Sequence, residues 1–77
     1  MTGILIIDDN AEDQKRASAI LSSFGYRISG VASDGETGIF MYREKRPDLV
    51  IIDLILTGIN GIEVLRSIRN EYPECRA

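Results

Sequence analysis

The chain has 77 residues, enough for one domain spanning residues 1–77, and a domain that short buries only about 60% of the surface its unfolded chain exposes. Its net charge is -3, from 9 Lys and Arg against 12 Asp and Glu, and the basic residues are scattered, which argues against nucleic-acid binding by this chain. No apolar run approaches the roughly 20 residues of a membrane span; with no signal-peptide pattern, no histidine and the lone Cys75 unable to form an intrachain disulfide, a soluble protein of the reducing cytoplasm is expected.

The chain opens on an apolar strand over residues 4–8, ending in Asp8 and Asp9. A helix follows over residues 10–24, with Ala17, Ile20, Leu21 and Phe24 at helical spacing, Asp9 or Asn10 as its N-cap and Gly25 as its left-handed C-terminal residue. Residues 26–32 alternate, Tyr26, Ile28 and Ala32 against Arg27 and Ser29, which predicts a half-exposed edge strand. Ser33 or Asp34 caps a second helix over residues 35–45, with Ile39, Phe40, Met41 and Tyr42 as a broad apolar face and Pro47 as its stop; Gly38 weakens it by about 1 kcal/mol relative to alanine. Residues 48–53 form a third strand, and Asn60 caps a third helix from Gly61 to about Tyr72, whose Leu65, Ile68 and Tyr72 share a face before Pro73.

Strict alternation of strands and helices predicts parallel strands joined by right-handed crossovers. The fold class is therefore α/β, a partial three-stranded βαβαβα unit with strand order 2-1-3. The first strand is central, and the second and third diverge around it to leave a crevice at the carboxyl ends, where open sheets of this kind bind ligands. Asp8, Asp9 and Asp53 all sit at that edge. Three carboxylates crowded together repel unless a hard cation such as Mg²⁺ neutralises them. Leu49 to Ile52 is an unbroken apolar run, the pattern of a strand covered on both faces and paired on both edges. Nothing after it supplies a further strand, so more chain, a second copy or a partner is expected to complete the sheet.

Three stretches carry a family resemblance: Ile6-Ile7-Asp8-Asp9-Asn10, Pro47-Asp48-Leu49-Val50-Ile51-Ile52-Asp53, and Leu54-Ile55-Leu56-Thr57-Gly58-Ile59-Asn60-Gly61. In that order they resemble the first three βα units of a response-regulator receiver domain, the flavodoxin-like (CheY-like) phosphoacceptor of two-component signalling. The resemblance implies that Asp53 takes a phosphoryl group from a histidine kinase or a histidine phosphotransfer protein docked near the first helix. It also implies Mg²⁺ held by Asp9, Asp53 and the backbone carbonyl of Ile55, with Asp8 acting mainly through a bound water.

Departures from the family pattern are also visible. Thr57 stands where proline is usual, which predicts a looser loop, and Ile55 stands where a polar side chain often lies near the phosphoryl group, which predicts an altered phosphoryl lifetime. The hydroxyl residue of a fourth strand and the lysine of a fifth are missing, and none of Lys15, Lys45 or Thr57 replaces them.

Other classes compete. A haloacid-dehalogenase-type hydrolase needs a second aspartate at the position of Ile55 as general acid. A flavodoxin-type flavin carrier needs a hydroxyl-rich loop where Asp8-Asp9-Asn10-Ala11-Glu12 would repel phosphate. The stronger alternative is a non-phosphorylated truncated receiver acting as a dimerisation or protein-binding module, a homo-oligomer through its exposed third strand or by exchange of elements, or an inert fragment of a longer regulator.

Overall fold

The computed structural model describes residues 3–56 and 60–77, in which strands and helices alternate: β1 (Gly3–Ile7), α1 (Ala11–Ser23), β2 (Arg27–Ala32), α2 (Gly35–Lys45), β3 (Leu49–Ile52) and α3 (Gly61–Glu71). The strands form one parallel sheet in the order β2-β1-β3. Thr57, with its expected looser loop, lies outside the described residues, as do Gly58 and Ile59 of the third matching stretch.

All five residues of β1 are buried, as a strand paired on both edges and covered on both faces requires. Leu5 and Ile7 point to one face, where Val50, Tyr42, Val64 and Ile68 join them in the core beneath α2 and α3. Ile4 and Ile6 point to the other face, crossed by α1.

Each helix begins on a side-chain cap. Asn10 accepts from the Asp13 amide, Asp34 from that of Thr37 and Asn60 from that of Glu63. Asn10, not Asp9, therefore caps α1, and Asp34, not Ser33, caps α2. Gly25 takes φ +88 just beyond α1, the left-handed turn its place implied. α2 ends one residue before Pro47, where Arg46 turns left-handed at φ 44 and its guanidinium stacks 3.8 Å from the Tyr72 ring centroid.

Several apolar faces differ from their predicted form. α1 buries no residue completely; Ala17 and Leu21 are half-buried, while Ile20 and Phe24 are 52% and 76% exposed. α1 packs chiefly on β1 and β2, so only the inner part of its stripe is used. On α2, Tyr42 is buried and Ile39 and Met41 pack against the core as expected, but Phe40 points outward, and Gly35 and Gly38 complete the buried face. On α3 the periodicity reading missed Val64, which is fully buried one turn before Ile68.

The alternation expected of β2 fails at one residue. Ile28 pairs with Ile4 but Gly30 pairs with Leu5, so Ser29 is an extra residue in a bulge. The inserted residue reverses the faces downstream: Ile28 lies on the α1 side, while Ala32, paired with Ile7, joins the core on the α2 side.

Gly38 has a packing role that its helix propensity hides. A Cβ there would lie 2.4 Å from Cδ1 and 2.8 Å from Cγ1 of Ile7, a fully buried side chain with nowhere to withdraw. Gly38→Ala sets a helix-propensity gain of about 1 kcal/mol against overpacking of about 1–3 kcal/mol. We expect a net loss, read as a fall of several degrees in thermal midpoint.

The residues after α3 return to the sheet. Cys75 is a free thiol buried in the core, Arg69 Nε donates to its carbonyl at 3.2 Å, and the Val50 amide donates to the Arg76 carbonyl at 2.8 Å. Burial first, and then the adjacent Cys75, pushes the Tyr42 hydroxyl from 10.0 up to about 12. A proton held more tightly in the folded state contributes stability that is fully present below pH 10.0 and fades as pH climbs toward about 12. In alkaline denaturation, stability should decline across that window in the parent protein, and Tyr42→Phe should flatten the decline.

Candidate metal centre

The carboxylates of Asp8, Asp9 and Asp53 converge at the carboxyl end of the sheet, with one oxygen from each within 4.8 Å of the others. Backbone pairing places them. The Asp8 amide donates to Ala32 O at 3.0 Å, which extends the β1–β2 ladder by one step, and the Asp53 amide donates to Ile7 O at 2.9 Å, which extends the β1–β3 ladder likewise. Asp8 and Asp53 are therefore fixed by the sheet itself, and Asp9 leads into the cap of α1.

Side chains are oriented by short turns. Asp8 Oδ1 accepts from the Asn10 amide at 2.9 Å, and Asp53 Oδ1 accepts from the Ile55 amide at 3.2 Å. Each is an aspartate turn that holds one oxygen in place and leaves the other for a ligand. Asp8 and Asp53 are half-buried and Asp9 is exposed, so the cluster sits in a shallow, solvent-reachable notch.

Sequence reasoning missed Gln14. Its Nε2 donates to the Asp8 carbonyl and to Ser33 Oγ at 3.1 Å, and it reaches the Ala32 carbonyl at 3.5 Å, which ties α1 to the ends of β1 and β2. The available signal was its spacing: four residues after the Asn10 cap, a side chain on the first turn points back toward the sheet.

The loop leaving Asp53 is closed at its far end by Gly61, whose amide donates to Leu54 O at 3.1 Å. A Cβ at Gly61 would lie 2.3 Å from the carbonyl oxygen of Asp53 and 2.8 Å from Cα of Leu54, so the helix entry rests directly on the backbone of the third carboxylate. Asn60 and Gly61, read from sequence as a cap and a tight entry, act as both.

Ile55 makes its contact with Asp53 through its amide, and the side chain is 83% exposed beside the cluster. Lys45 lies far from the carboxylates, lining a cavity of about 280 Å³ with Arg27 and Ser29 toward the amino-terminal ends of the strands. The donor set consists of carboxylates alone among the described side chains, and oxygens within 4.8 Å of one another can share one small ion. That chemistry fits a hard, oxygen-seeking divalent cation and not a soft metal.

Comparison with known proteins agrees with this geometry. The family model for the response regulator receiver domain matches residues 4–77. The transcriptional regulatory protein AfsQ1 of Streptomyces coelicolor is 41% identical over 69 residues, which is 90% of this chain and 30% of that protein. A two-component response regulator of the LuxR family from an Aurantimonas species superposes with TM-score 0.95 at 31% identity, covering 99% of this chain and 55% of that one. The response regulator TrrA of Thermotoga maritima, solved in complex with Mg²⁺ and beryllofluoride, superposes with TM-score 0.93 at 32% identity over 97% of this chain and 64% of that one. The chain thus spans between about a third and two thirds of the length of these relatives. With its order β2-β1-β3, its three carboxylates at one sheet edge and a family match over nearly all its residues, it belongs to the response regulator receiver domains of two-component signalling.

Proposed function

We propose that the chain accepts a phosphoryl group on Asp53 in a Mg²⁺-dependent reaction, its donor being a histidine kinase or a histidine phosphotransfer protein. The observation that carries this reading is the convergence of Asp8, Asp9 and Asp53 within 4.8 Å at the carboxyl ends of β1 and β3. The magnesium–beryllofluoride complex of TrrA supports it, because beryllofluoride has the tetrahedral shape and oxygen-seeking chemistry of a phosphoryl group.

Asp9, Asp53 and the Ile55 carbonyl would hold the ion directly, and Asp8 through water. A Mg²⁺ ion bound there would supply positive charge to offset the negative charge on the phosphoryl oxygens. The protein's part is positioning. Asp53 presents one carboxylate oxygen to phosphorus while the other accepts from the Ile55 amide. The oxygen presented to phosphorus forms the new P–O bond as the donor's P–N bond breaks, and the electron pair leaves with the imidazole nitrogen. Gln14 braces the end of β1 against that of β2, and Gly61 lets α3 rest on the backbone of Asp53; such transfer depends on groups held in place in this way. The setting is the cytoplasm, and no helix among the described residues is long and apolar enough to cross a membrane.

Intact mass after incubation with Mg²⁺ and acetyl phosphate tests the reading. One phosphoryl group should be gained by the parent, none by Asp53→Asn, and none by the parent when Mg²⁺ is chelated. No gain by the parent, under conditions that label a full-length receiver, would overturn it. A second reading, a binding or dimerisation module that does not transfer phosphate, is favoured by the exposure of Ile51, Leu54 and Ile62 around β3. Association undiminished in Asp53→Asn would mark it.

A further inference from the structure

The start of β2 carries a cavity that the carboxylate cluster does not use. Its volume is about 280 Å³ and it is lined by Arg27, Ile28, Ser29 and Lys45. Two cations and a hydroxyl thus meet around one space in a chain whose net charge is -3. Arg27 and Lys45 are exposed and Ser29 is half-buried, so the space is open to a solute. Among the described residues, no hydrogen bond or ion pair engages the side chain of any of the three.

The backbone builds this arrangement. Ser29 is the inserted residue of the β2 bulge, and the insertion brings its hydroxyl to the same side of the sheet as Arg27. Gly3 of β1, the partner of Arg27, leaves the room they occupy: a Cβ there would lie 2.4 Å from Ser29 Oγ and 3.2 Å from Arg27 Nη2. Lys45, the last residue of α2, runs its stem over Gly30, where an added Cβ would lie 3.5 Å from Lys45 Cδ.

We propose that this cavity binds the phosphate group of a small soluble phosphomonoester. Arg27 presents a fork of N–H donors to two oxygens, Lys45 supplies a point charge and Ser29 Oγ donates to a third oxygen. A phosphomonoester near its dianionic form offers oxygens to all three donors, whereas a carboxylate offers two oxygens and a single charge. The opposing charges are smaller. α2 ends here, and its carbonyl end carries roughly half a negative charge against two full positive ones. Glu44 and Asp48, the carboxylates nearest Lys45 in sequence, pair with neither cation, and Asp48 Oδ2 already accepts from the Gly3 amide at 2.8 Å.

The site lies at the β2 edge, across β1 from β3 and from the Arg76 carbonyl that β3 meets, so it is independent of what covers the outer edge of β3. It also lies toward the amino-terminal ends of the strands, opposite Asp53, and its occupancy is separate from phosphoryl acceptance there.

Nuclear magnetic resonance titration of the whole chain with glycerol 3-phosphate, without Mg²⁺ and at constant ionic strength, tests the proposal. Saturating shifts should centre on the Ser29 and Gly30 amides with a dissociation constant of about 1 mM or tighter, since three convergent donors exceed what one exposed ion pair supplies. Acetate should bind about tenfold more weakly or less. Arg27→Gln and Lys45→Gln should each weaken binding about tenfold, and Ser29→Ala about threefold, in variants whose amide fingerprint shows the fold intact. Lys15→Gln, which removes the same charge from an exposed position on α1, and Asp53→Asn should leave it unchanged. Shifts that do not saturate, equal affinity for acetate, an equal loss in Lys15→Gln, shifts centred on Asp53, or binding confined to phosphatidate vesicles would each overturn the proposal. None of these results bears on the Mg²⁺-dependent reaction, because the ion is absent throughout.

Discussion

Gly61→Ala should cost more than alanine at any other described glycine. The added methyl would meet the Asp53 carbonyl oxygen at 2.3 Å, the Leu54 Cα at 2.8 Å and the Asp53 carbonyl carbon at 3.0 Å. All three are backbone atoms, so no rotamer change relieves the clash. Either α3 shifts away from the end of β3 or Asp53 moves. The overlap is worse than ordinary overpacking, so a loss at or above the usual range of about 1–3 kcal/mol is expected. In a domain whose total stability is about 4–12 kcal/mol at typical per-residue values, that is a large share. The effect on the site should exceed the effect on the fold. Displacing Asp53 separates it from Asp8 and Asp9, and Mg²⁺ affinity should fall about tenfold or more, by titration at a temperature where circular dichroism shows the variant folded. Unchanged Mg²⁺ affinity in a folded variant would mean that the helix entry does not position the carboxylate.

That dependence separates what was legible in the sequence from what was not. The carboxylates were readable because each ends an apolar run, and an apolar run bounded by polar residues marks the end of a buried strand. Caps were readable to within one residue because asparagine and aspartate before a helix satisfy its free amides. Ser29 escaped notice because a bulge inserts a residue without changing composition, and a period-two pattern then reads the same until a partner strand is set beside it. Phe40 and Phe24 were assigned inward because apolarity was taken as burial. The structure sets Gly38 beside the expected Tyr42 on the inner face of α2, and leaves Ile20 and Phe24 on the outer flank of α1 largely exposed. Gln14 was invisible for a related reason: its value lies in three acceptors at the ends of two strands, none of them next to Gln14 in sequence.

Glycines mark the same boundary between propensity and packing. Gly38 reads from sequence as a weakness in α2 and Gly61 as a plain helix entry, yet each is a point where a helix touches another backbone or a buried side chain with no room for one carbon. At such positions the missing atom is what lets α2 and α3 approach, and the approach places the carboxylates.

Ile68→Ala should weaken the site from a distance. Ile68 is 1% exposed on the inner face of α3, one turn beyond Val64, and packs in the cluster that joins α3 to Leu5, Ile7 and Val50. Removing a buried isoleucine side chain down to alanine costs about 2–5 kcal/mol, the spread depending on how far the cavity collapses. Collapse is limited here because β1 is pinned between two strands and α2 is already in contact through Gly38. The upper part of that range is therefore expected, and with it a fall of about 15 °C or more in thermal midpoint. Since α3 closes the loop at Gly61 and that loop carries Ile55, loosening the helix should also release Asp53 from its aspartate turn. Mg²⁺ binding and phosphoryl acceptance should then fall together with the folded fraction, and both should recover on cooling. Phe24→Ala supplies the contrast: its ring is 76% exposed, and such surface changes stay within about 0.5 kcal/mol. If Phe24→Ala proved as damaging as Ile68→Ala, the outer flank of α1 would have to be covered in solution, and the division of the sheet into a packed face under α2 and α3 and a sparsely covered face under α1 would fail.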